Sequence, residues 1–233
     1  MIYSTSDPHG YPLSDFQRLL DRARFSDSDF LFVLGDVVDR NGDGGIAMLE
    51  WMMLQPNVQL ILGNHEAMLL ACDFLFQEIT DDLVNGMDLD QISLIMHWMQ
   101  NGAEPTLNAL QALRKRDPEA LFDLLDYLKD APLYDTVTAG GRDFLLVHSG
   151  LGHFRKDKRL SDYEAHDLLW HRPTPDEQYF DDITTILGHT PTAFYGAANR
   201  MFQTPTWIDI DTGAASGHPP MLLRLDDLTP FYA

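Results

Sequence analysis

Short apolar runs recur along the chain, and each is followed by Gly, Asp or His. Their length and sharp polar ends are typical of buried β-strands. They cover residues 2–6, 30–34, 58–62, 144–147, 184–187, 207–210 and 221–225. Between the early runs, residues 13–23 and 46–54 have the apolar spacing and the length of amphipathic helices. This alternation of strands and helices predicts an α/β layered fold.

The middle of the chain, residues 67–128, has almost wholly helical spacing. Pro105 and Pro118 occupy positions typical of the first turn of a helix, where the missing N–H is not needed. We interpret the segment from about residue 67 to about residue 132 as a helical insertion within a single domain of residues 1–233. Helices of this insertion are candidates to cover a site and select its substrate, although their apolar spacing also agrees with plain core packing.

The balance of charge limits the ligands of the protein. The 233-residue chain has 16 Lys and Arg against 36 Asp and Glu, a formal net charge of −20 at pH 7. A surface this acidic repels a phosphate backbone, so we expect no nucleic-acid scaffold as a partner. An anionic substrate would need a locally positive site, made by bound metal ions or by a few well-placed arginines.

The composition also bears on the compartment. No apolar run reaches the roughly 18 residues that a membrane helix needs, and no charged leader precedes a long apolar stretch. Cys72 is the single cysteine, which excludes an intramolecular disulfide and agrees with a reducing compartment. We therefore expect a cytoplasmic protein with no membrane partner.

Polar side chains follow five of the predicted strands directly. They are Asp7 and His9, then Asp36, Asp39 and Arg40, then Asn64 and His65, and finally His148 and His189. In open α/β sheets the ligand crevice lies beyond the carboxyl ends of the strands. Carboxylate, imidazole and amide groups form a mixed N/O ligand set that suits Mn, Fe or Zn better than Mg. The sequence therefore predicts a dinuclear metal centre.

Five motifs at these positions carry a resemblance to a known family. In order they read SDPHG, GDVVDR, GNHE, VHSG and GHTP, and together they resemble the PPP-type metallophosphatases of the calcineurin-like phosphoesterase superfamily, including bacterial and phage serine/threonine protein phosphatases. LLWHR, ending at Arg172, is similar to the family segment with a second phosphate-binding arginine. IDIDTGA, around Asp211, is similar to a late strand of bacterial members. The resemblance implies a sandwich of two mixed β-sheets flanked by helices.

The resemblance also implies two sets of metal ligands. The first ion would take Asp7, His9 and Asp36, and the second would take Asp36, Asn64, His148 and His189. Asp36 would bridge the two ions, because a carboxylate has two oxygens to share. Two divalent ions roughly 3.5 to 4 Å apart can polarise one bridging water, which attacks phosphorus directly without a phosphoenzyme. Manganese is the first expectation, with iron or zinc as alternatives.

The remaining roles concern the phosphoryl group and the leaving group. The resemblance implies that Arg40, Arg172 and the amide of Asn64 hold the phosphoryl oxygens. His65 would protonate the departing oxygen. Asp39 would accept a hydrogen bond from that imidazole and fix its tautomer.

One competing motif spans residues 39–50. It has acidic or amide residues at positions one, three and five, Gly at six and Glu50 at twelve, which is the pattern of a calcium-binding loop. A calcium hand needs a helix before the loop, whereas the residues before Asp39 have the pattern of a strand. We therefore expect Asp43 and Glu50 to belong to a turn and to a helix surface.

Three functions remain open from the sequence. The first is hydrolysis of phosphoserine and phosphothreonine in phosphoproteins. The second is hydrolysis of a small phosphorylated molecule, as by a dinucleoside tetraphosphatase, since the same metal chemistry serves both. The third is a catalytically silent metal-binding or phosphopeptide-binding module, against which the intact His65, Asp39 and Arg40 count. An aromatic or apolar slot beside the metals would favour a nucleotide, and an open groove would favour a peptide. The oligomeric state stays open.

Overall fold

The computed structural model describes residues 1–76 and 87–233. Ten strands lie in these two ranges. They are β1 (Ile2–Thr5), β2 (Phe30–Val33), β3 (Val58–Leu60), β4 (Tyr134–Ala139), β5 (Arg142–Val147), β6 (Thr184–Leu187), β7 (Phe202–Gln203), β8 (Trp207–Asp209), β9 (Met221–Arg224) and β10 (Thr229–Tyr232). Every apolar run predicted as a strand overlaps one of them.

The strands form two five-stranded sheets. The β1 sheet has the order β10-β9-β1-β2-β3, and the β5 sheet has the order β4-β5-β6-β8-β7. In the first, β1, β2 and β3 are parallel, while β9 and β10 are antiparallel to their neighbours. In the second, β5, β6 and β8 are parallel, while β4 and β7 are antiparallel edge strands. Both sheets are therefore mixed, and the predicted sandwich is confirmed.

The two sheets pack face to face through one apolar layer. Phe32 and Leu223 from the β1 sheet and Leu146, Ile186 and Ile208 from the β5 sheet belong to the same buried cluster. Burial of such side chains contributes about 1.5–3 kcal/mol each, so this layer fixes how the sheets face one another. It thereby fixes which strand ends meet at the edge of the sandwich.

Seven α-helices lie in the described residues. They are α1 (Leu13–Ala23), α2 (Ile46–Met53), α3 (Asn64–Ala71), α4 (Leu89–Gln100), α5 (Glu104–Arg116), α6 (Pro118–Asp130) and the short α7 (Ala165–Leu169). The first six cover the outer face of the β1 sheet, and the seventh packs through Leu168 on the outer face of the β5 sheet. α5 and α6 carry Pro105 and Pro118 in their first turns, as predicted. Part of the predicted helical region, residues 77–86, lies outside the described residues. Among the described helices, none has both the length and the apolar content to cross a bilayer.

Three edge strands were not predicted. β4 pairs with β5 as a hairpin whose turn is Gly140-Gly141. β7 has only two residues, and β10 is half-buried throughout and contains Pro230. Such strands lack an uninterrupted apolar run, since one face or one edge meets solvent. Their formation depends on a neighbouring strand rather than on their own pattern.

Candidate active site

The loops that follow β1 and β2 run side by side beyond the sheet. Asp7 N donates to Gly35 O at 3.1 Å, and His9 N donates to Asp36 O at 2.9 Å. Asp7, His9 and Asp36 all have positive φ, at 51°, 42° and 54°. Non-glycine residues in this region cost about 1–3 kcal/mol each, and they cluster where the surroundings and a function require them. The backbone thus turns three predicted ligands toward one point.

The ring of His9 is fixed by the backbone. Nδ1 lies 2.9 Å from Val38 O. A carbonyl only accepts, so Nδ1 carries the hydrogen and Nε2 keeps a free lone pair. That Nε2 lies 3.4 Å from Asp36 Oδ2 and 4.0 Å from Asp7 Oδ1. The three predicted ligands of the first ion therefore converge.

His148 is held in the same way. Its Nδ1 lies 2.7 Å from Leu34 O, which assigns the hydrogen to Nδ1. Its Nε2 lies 2.9 Å from Asn64 Oδ1 and 3.4 Å from Asp36 Oδ1. Burial lowers the pKa of His148 to about 3, so the ring is neutral and Nε2 has no hydrogen to share. Lone pairs that face each other at these distances fit a bound cation.

His189 completes the second set. Its Nε2 is buried and has no hydrogen-bond partner among the described residues. Its backbone N–H donates to Asp7 Oδ2 at 2.9 Å, which links the loops after β6 and β1. Among the described residues, two groups of side chains bring their ligand atoms within 4.8 Å of one another inside each group: His9, Asp36 and His65, and Asp36, His148 and His189. Asp36 belongs to both groups.

Negative charge is concentrated and buried at this point. The pKa of Asp7 is raised well above its ordinary value by burial and then by Asp211 and Asp36. The pKa of Asp36 is raised likewise by burial and then by Glu66. Buried carboxylates are stable only when protonated, paired with cations or bound to a metal. Together with the unpartnered imidazole nitrogens, this donor set fits divalent metal ions.

His65 lies between Asp39 and Arg40. Its Nδ1 is 2.6 Å from Asp39 Oδ2, and its Nε2 is 3.2 Å from Arg40 Nη2. Arg40 can only donate, so Nε2 accepts and Nδ1 donates to the carboxylate. Burial lowers the pKa of His65 to about 3 and raises that of Asp39 to about 6. The Asp39–His65 hydrogen bond predicted from the sequence is thus present in the fold.

A cavity of about 270 Å³ opens onto these side chains. The predicted site residues that line it are Asp7, His9, Asp36, Arg40, Asn64, His65, Arg172 and His189. His148 and Asp39 are fully buried and bond to lining residues. Arg172 is exposed and has no hydrogen bond or ion pair with other residues in the described ranges. Its guanidinium is therefore available to an anion in the cavity.

The structure adds residues to which the sequence analysis gave no role. They are Glu66, Trp98, Thr106, Phe194 and Asp211, which either bond to predicted site residues or line the cavity. Glu66 carries a local signal, because an acidic residue three positions after the N-cap Gly63 is typical of a capping box. Asp211 belongs to the IDIDTGA motif. The other three carry no local signal.

The calcium-loop pattern is not realised. Asp39 bonds to His65, and Asp43 accepts the N–H groups of Gly45 and Ala47 at 3.0 and 2.9 Å. Glu50, on α2, pairs instead with an arginine of α5 at 2.6 Å. The preceding segment is β2, so the carboxylates of residues 39–50 do not converge as in a calcium hand.

Comparison with known proteins places the chain in a family. Residues 1–218 match the calcineurin-like phosphoesterase model, and the chain therefore belongs to that family. The family implies divalent metal ions, and the donor set described above fits them. The fold and the family are thus those of the calcineurin-like phosphoesterases.

Individual relatives are more distant. A symmetrical bis(5'-nucleosyl)-tetraphosphatase from Acidovorax sp. (strain JS42) is 30% identical over 151 residues, which are 64% of this chain and 44% of that protein. The chain therefore matches less than half the length of this curated relative.

Two solved structures share the fold at low identity. One, provisionally assigned as a diadenosine tetraphosphatase, has a TM-score of 0.64 and 16% identity, covering 100% of this chain and 92% of the other. A protein serine/threonine phosphatase from Saccharomyces cerevisiae has a TM-score of 0.55 and 14% identity, covering 100% and 79%. At these identities the similarity establishes the fold alone.

Proposed function

We propose that this protein hydrolyses dinucleoside polyphosphates, with two divalent ions and manganese as the first choice. The curated relative is named for that activity. The same metal chemistry serves both proposed substrate classes. The observation that carries the proposal is an apolar wall with an exposed aromatic ring, in the cavity beside the metal ligands.

The wall is formed by Trp170, Pro191 and Phe194. Phe194 is 75% exposed, although a phenylalanine gains free energy by burial. The ring of Trp170 lies 6.1 Å from that of His189, so the wall begins at a metal ligand. Stacking of a nucleobase on an aromatic ring contributes about 1–3 kcal/mol and tolerates any base. A nucleoside next to a bound phosphate would cover this surface.

Each site residue then has a defined task. Bound divalent ions would supply Lewis acidity and a water of lowered pKa. Arg172, which makes no hydrogen bond or ion pair within the described residues, would pair with non-bridging phosphate oxygens. Arg40 would turn from His65 Nε2 toward the same phosphate, which leaves Nε2 able to carry the proton for the leaving group. Asp39 keeps Nδ1 of that ring protonated.

The test compares two substrates on one manganese-loaded preparation. We expect a higher kcat/KM for diadenosine tetraphosphate than for a phosphothreonine peptide. Phe194→Ala should lower kcat/KM for the nucleotide by about fivefold or more, since about 1 kcal/mol of stacking is lost. Hydrolysis of p-nitrophenyl phosphate should not change. Phe122→Ala is the matched control, because Phe122 is 49% exposed on α6 and does not line the cavity.

Other outcomes point elsewhere. A preference for the peptide, with Phe194→Ala neutral on the nucleotide, would support the serine/threonine phosphatase hypothesis. Activity on neither substrate, with two metals bound per chain, would support a silent binding module.

A further inference from the structure

The corner between α4 and α5 contacts the Asp39–Arg40 segment at three points. Trp98 Nε1, near the end of α4, donates to Asp39 Oδ2 at 2.9 Å. In the turn, Gly102 O accepts the backbone N–H of Arg40 at 2.9 Å. In the first turn of α5, Thr106 Oγ1 accepts the backbone N–H of Asp39 at 2.8 Å. One element of the predicted insertion therefore holds both residues beside His65.

The indole and the imidazole share one carboxylate oxygen. Asp39 Oδ2 accepts from His65 Nδ1 at 2.6 Å and from Trp98 Nε1 at 2.9 Å. A carboxylate oxygen has two lone pairs, so it can accept both hydrogens. Rotation of the carboxylate away from His65 would also leave the fully buried indole N–H unpaired, at a cost of about 1–3 kcal/mol. Trp98 therefore favours the orientation in which Asp39 faces His65.

The backbone of the same segment needs support. Asp39 and Arg40 both have positive φ, at 75° and 71°. Two consecutive left-handed non-glycine residues persist only where surrounding contacts determine them. The hydroxyl of Thr106 accepts from Asp39 N and donates to Gly44 O at 3.2 Å, so it ties the two ends of this loop together. Without that hydroxyl, the loop would lose its bridge to α5.

We propose that Trp98 and Thr106 are positioning residues for proton transfer to the leaving group. They act through Asp39 on the orientation of His65. The inference rests on the phosphoester-cleaving role of the site and does not depend on which phosphate ester is the natural substrate. It gives the α4–α5 corner a role in the chemistry, whereas the sequence left open whether these helices cover the site and select the substrate or only pack in the core.

The test uses leaving groups that differ in their need for a proton. An aryl phosphate with an activated leaving group, p-nitrophenyl phosphate, needs little protonation, whereas phenyl phosphate needs more. In the manganese-loaded protein, Trp98→Phe should lower kcat for phenyl phosphate about tenfold, which corresponds to the loss of one hydrogen bond. The same substitution should change kcat for p-nitrophenyl phosphate by less than about twofold. In a His65→Asn background, Trp98→Phe should have no further effect, because interacting residues are not additive.

Paired substitutions keep the test independent of folding. Thr106→Ser should retain the wild-type ratio of kcat for phenyl phosphate to kcat for p-nitrophenyl phosphate. Thr106→Val should lower this ratio, as Trp98→Phe does. Leu110→Ala, a buried change in α5 with no bond to Asp39, should lower Tm without altering the ratio. A Trp98→Phe effect that is equal on both esters, or that persists without His65, would overturn the inference. If His65→Asn itself leaves this kcat ratio unchanged, the acid role assigned to His65 is wrong. The preference for diadenosine tetraphosphate is tested separately, by the kcat/KM comparison with the phosphothreonine peptide.

Discussion

The carboxylate of Glu66 accepts the backbone N–H of Asp36 at 2.8 Å, across 30 residues of sequence. It also accepts the N–H groups of Val37 and Val38, at 2.8 and 3.1 Å, and that of Gly63 at 3.0 Å. Glu66 is fully buried, and burial raises its pKa. One side chain from α3 thus satisfies the backbone where it leaves β2, and so fixes the position of the Asp36 carboxylate.

Glu66→Gln should destabilise the fold and weaken metal binding. The amide NH₂ that replaces one oxygen cannot accept, so at least one buried backbone N–H loses its partner at about 1–3 kcal/mol. We expect a lower Tm in thermal melts and a weaker manganese isotherm. Glu50→Gln, which only breaks an exposed ion pair with Arg116, should change neither measurably. Normal manganese affinity in Glu66→Gln would contradict the positioning role of Glu66.

Gly188→Ala should displace a metal ligand by contact alone. A Cβ at Gly188 would lie 2.2 Å from Asp7 Oδ2 and 2.3 Å from Ser6 Oγ, closer than real Cβ atoms approach. We expect reduced metal content by elemental analysis in a protein that still folds. Gly217→Ala is the control, since Gly217 also has positive φ, at 86°, but a Cβ added there would meet no atom of the described residues within 4 Å. It should lower Tm and leave metal content unchanged.

Asp36→Asn and His65→Asn should separate metal binding from catalysis. Asp36 is common to both groups of ligand atoms, so its loss should reduce both metal content and activity. His65→Asn should retain most of the metal and lose turnover by about 10²-fold or more on an ester with a poor leaving group. Elemental analysis and kcat on the same samples provide the comparison. Equal loss of metal in the two variants would make His65 a ligand rather than an acid.

The stabilisation of the protein by manganese should increase with pH. In the metal-free fold the pKa values of Asp7 and Asp36 are raised above 3.8, so these groups stabilise the fold at low pH and lose that contribution as the pH rises through their folded pKa values. Manganese requires their ionised forms and competes with protons. The difference in Tm with and without manganese, measured from pH 5 to pH 8, should therefore grow with pH.

The buried histidines act on stability in the opposite sense. The pKa of His148 falls from 6.5 to about 3 in the fold, so below pH 6.5 the unfolded chain takes up a proton that the native state does not. The contribution of His148 to the free energy of unfolding of the metal-free protein therefore decreases as the pH falls toward 3. His148 is neutral with or without metal above pH 5, so its contribution cancels in the manganese difference. A pH-independent difference would contradict the proposed competition at Asp7 and Asp36.

Local pattern predicted some elements well and others poorly, for a physical reason. α1 has the predicted bounds, Leu13–Ala23, because its buried positions repeat at the helical period. In the apolar run at residues 58–62, the strand β3 ends already at Leu60, because the chain then turns toward Gly63 and α3. β10 was missed, since a half-buried edge strand with a proline has no distinctive pattern.

The sequence by itself determined which side chains can meet at the centre. In each sheet the parallel strands place their carboxyl ends at one edge, so residues that directly follow them, such as Asp36 after β2 and His148 after β5, could be assigned from local pattern. The tertiary structure alone decided what surrounds them: Glu66 beneath the loop after β2, Trp98 on Asp39, and the exposed ring of Phe194. These contacts join segments far apart in the chain, and their geometry depends on how helices pack against the sandwich, which no local spacing encodes.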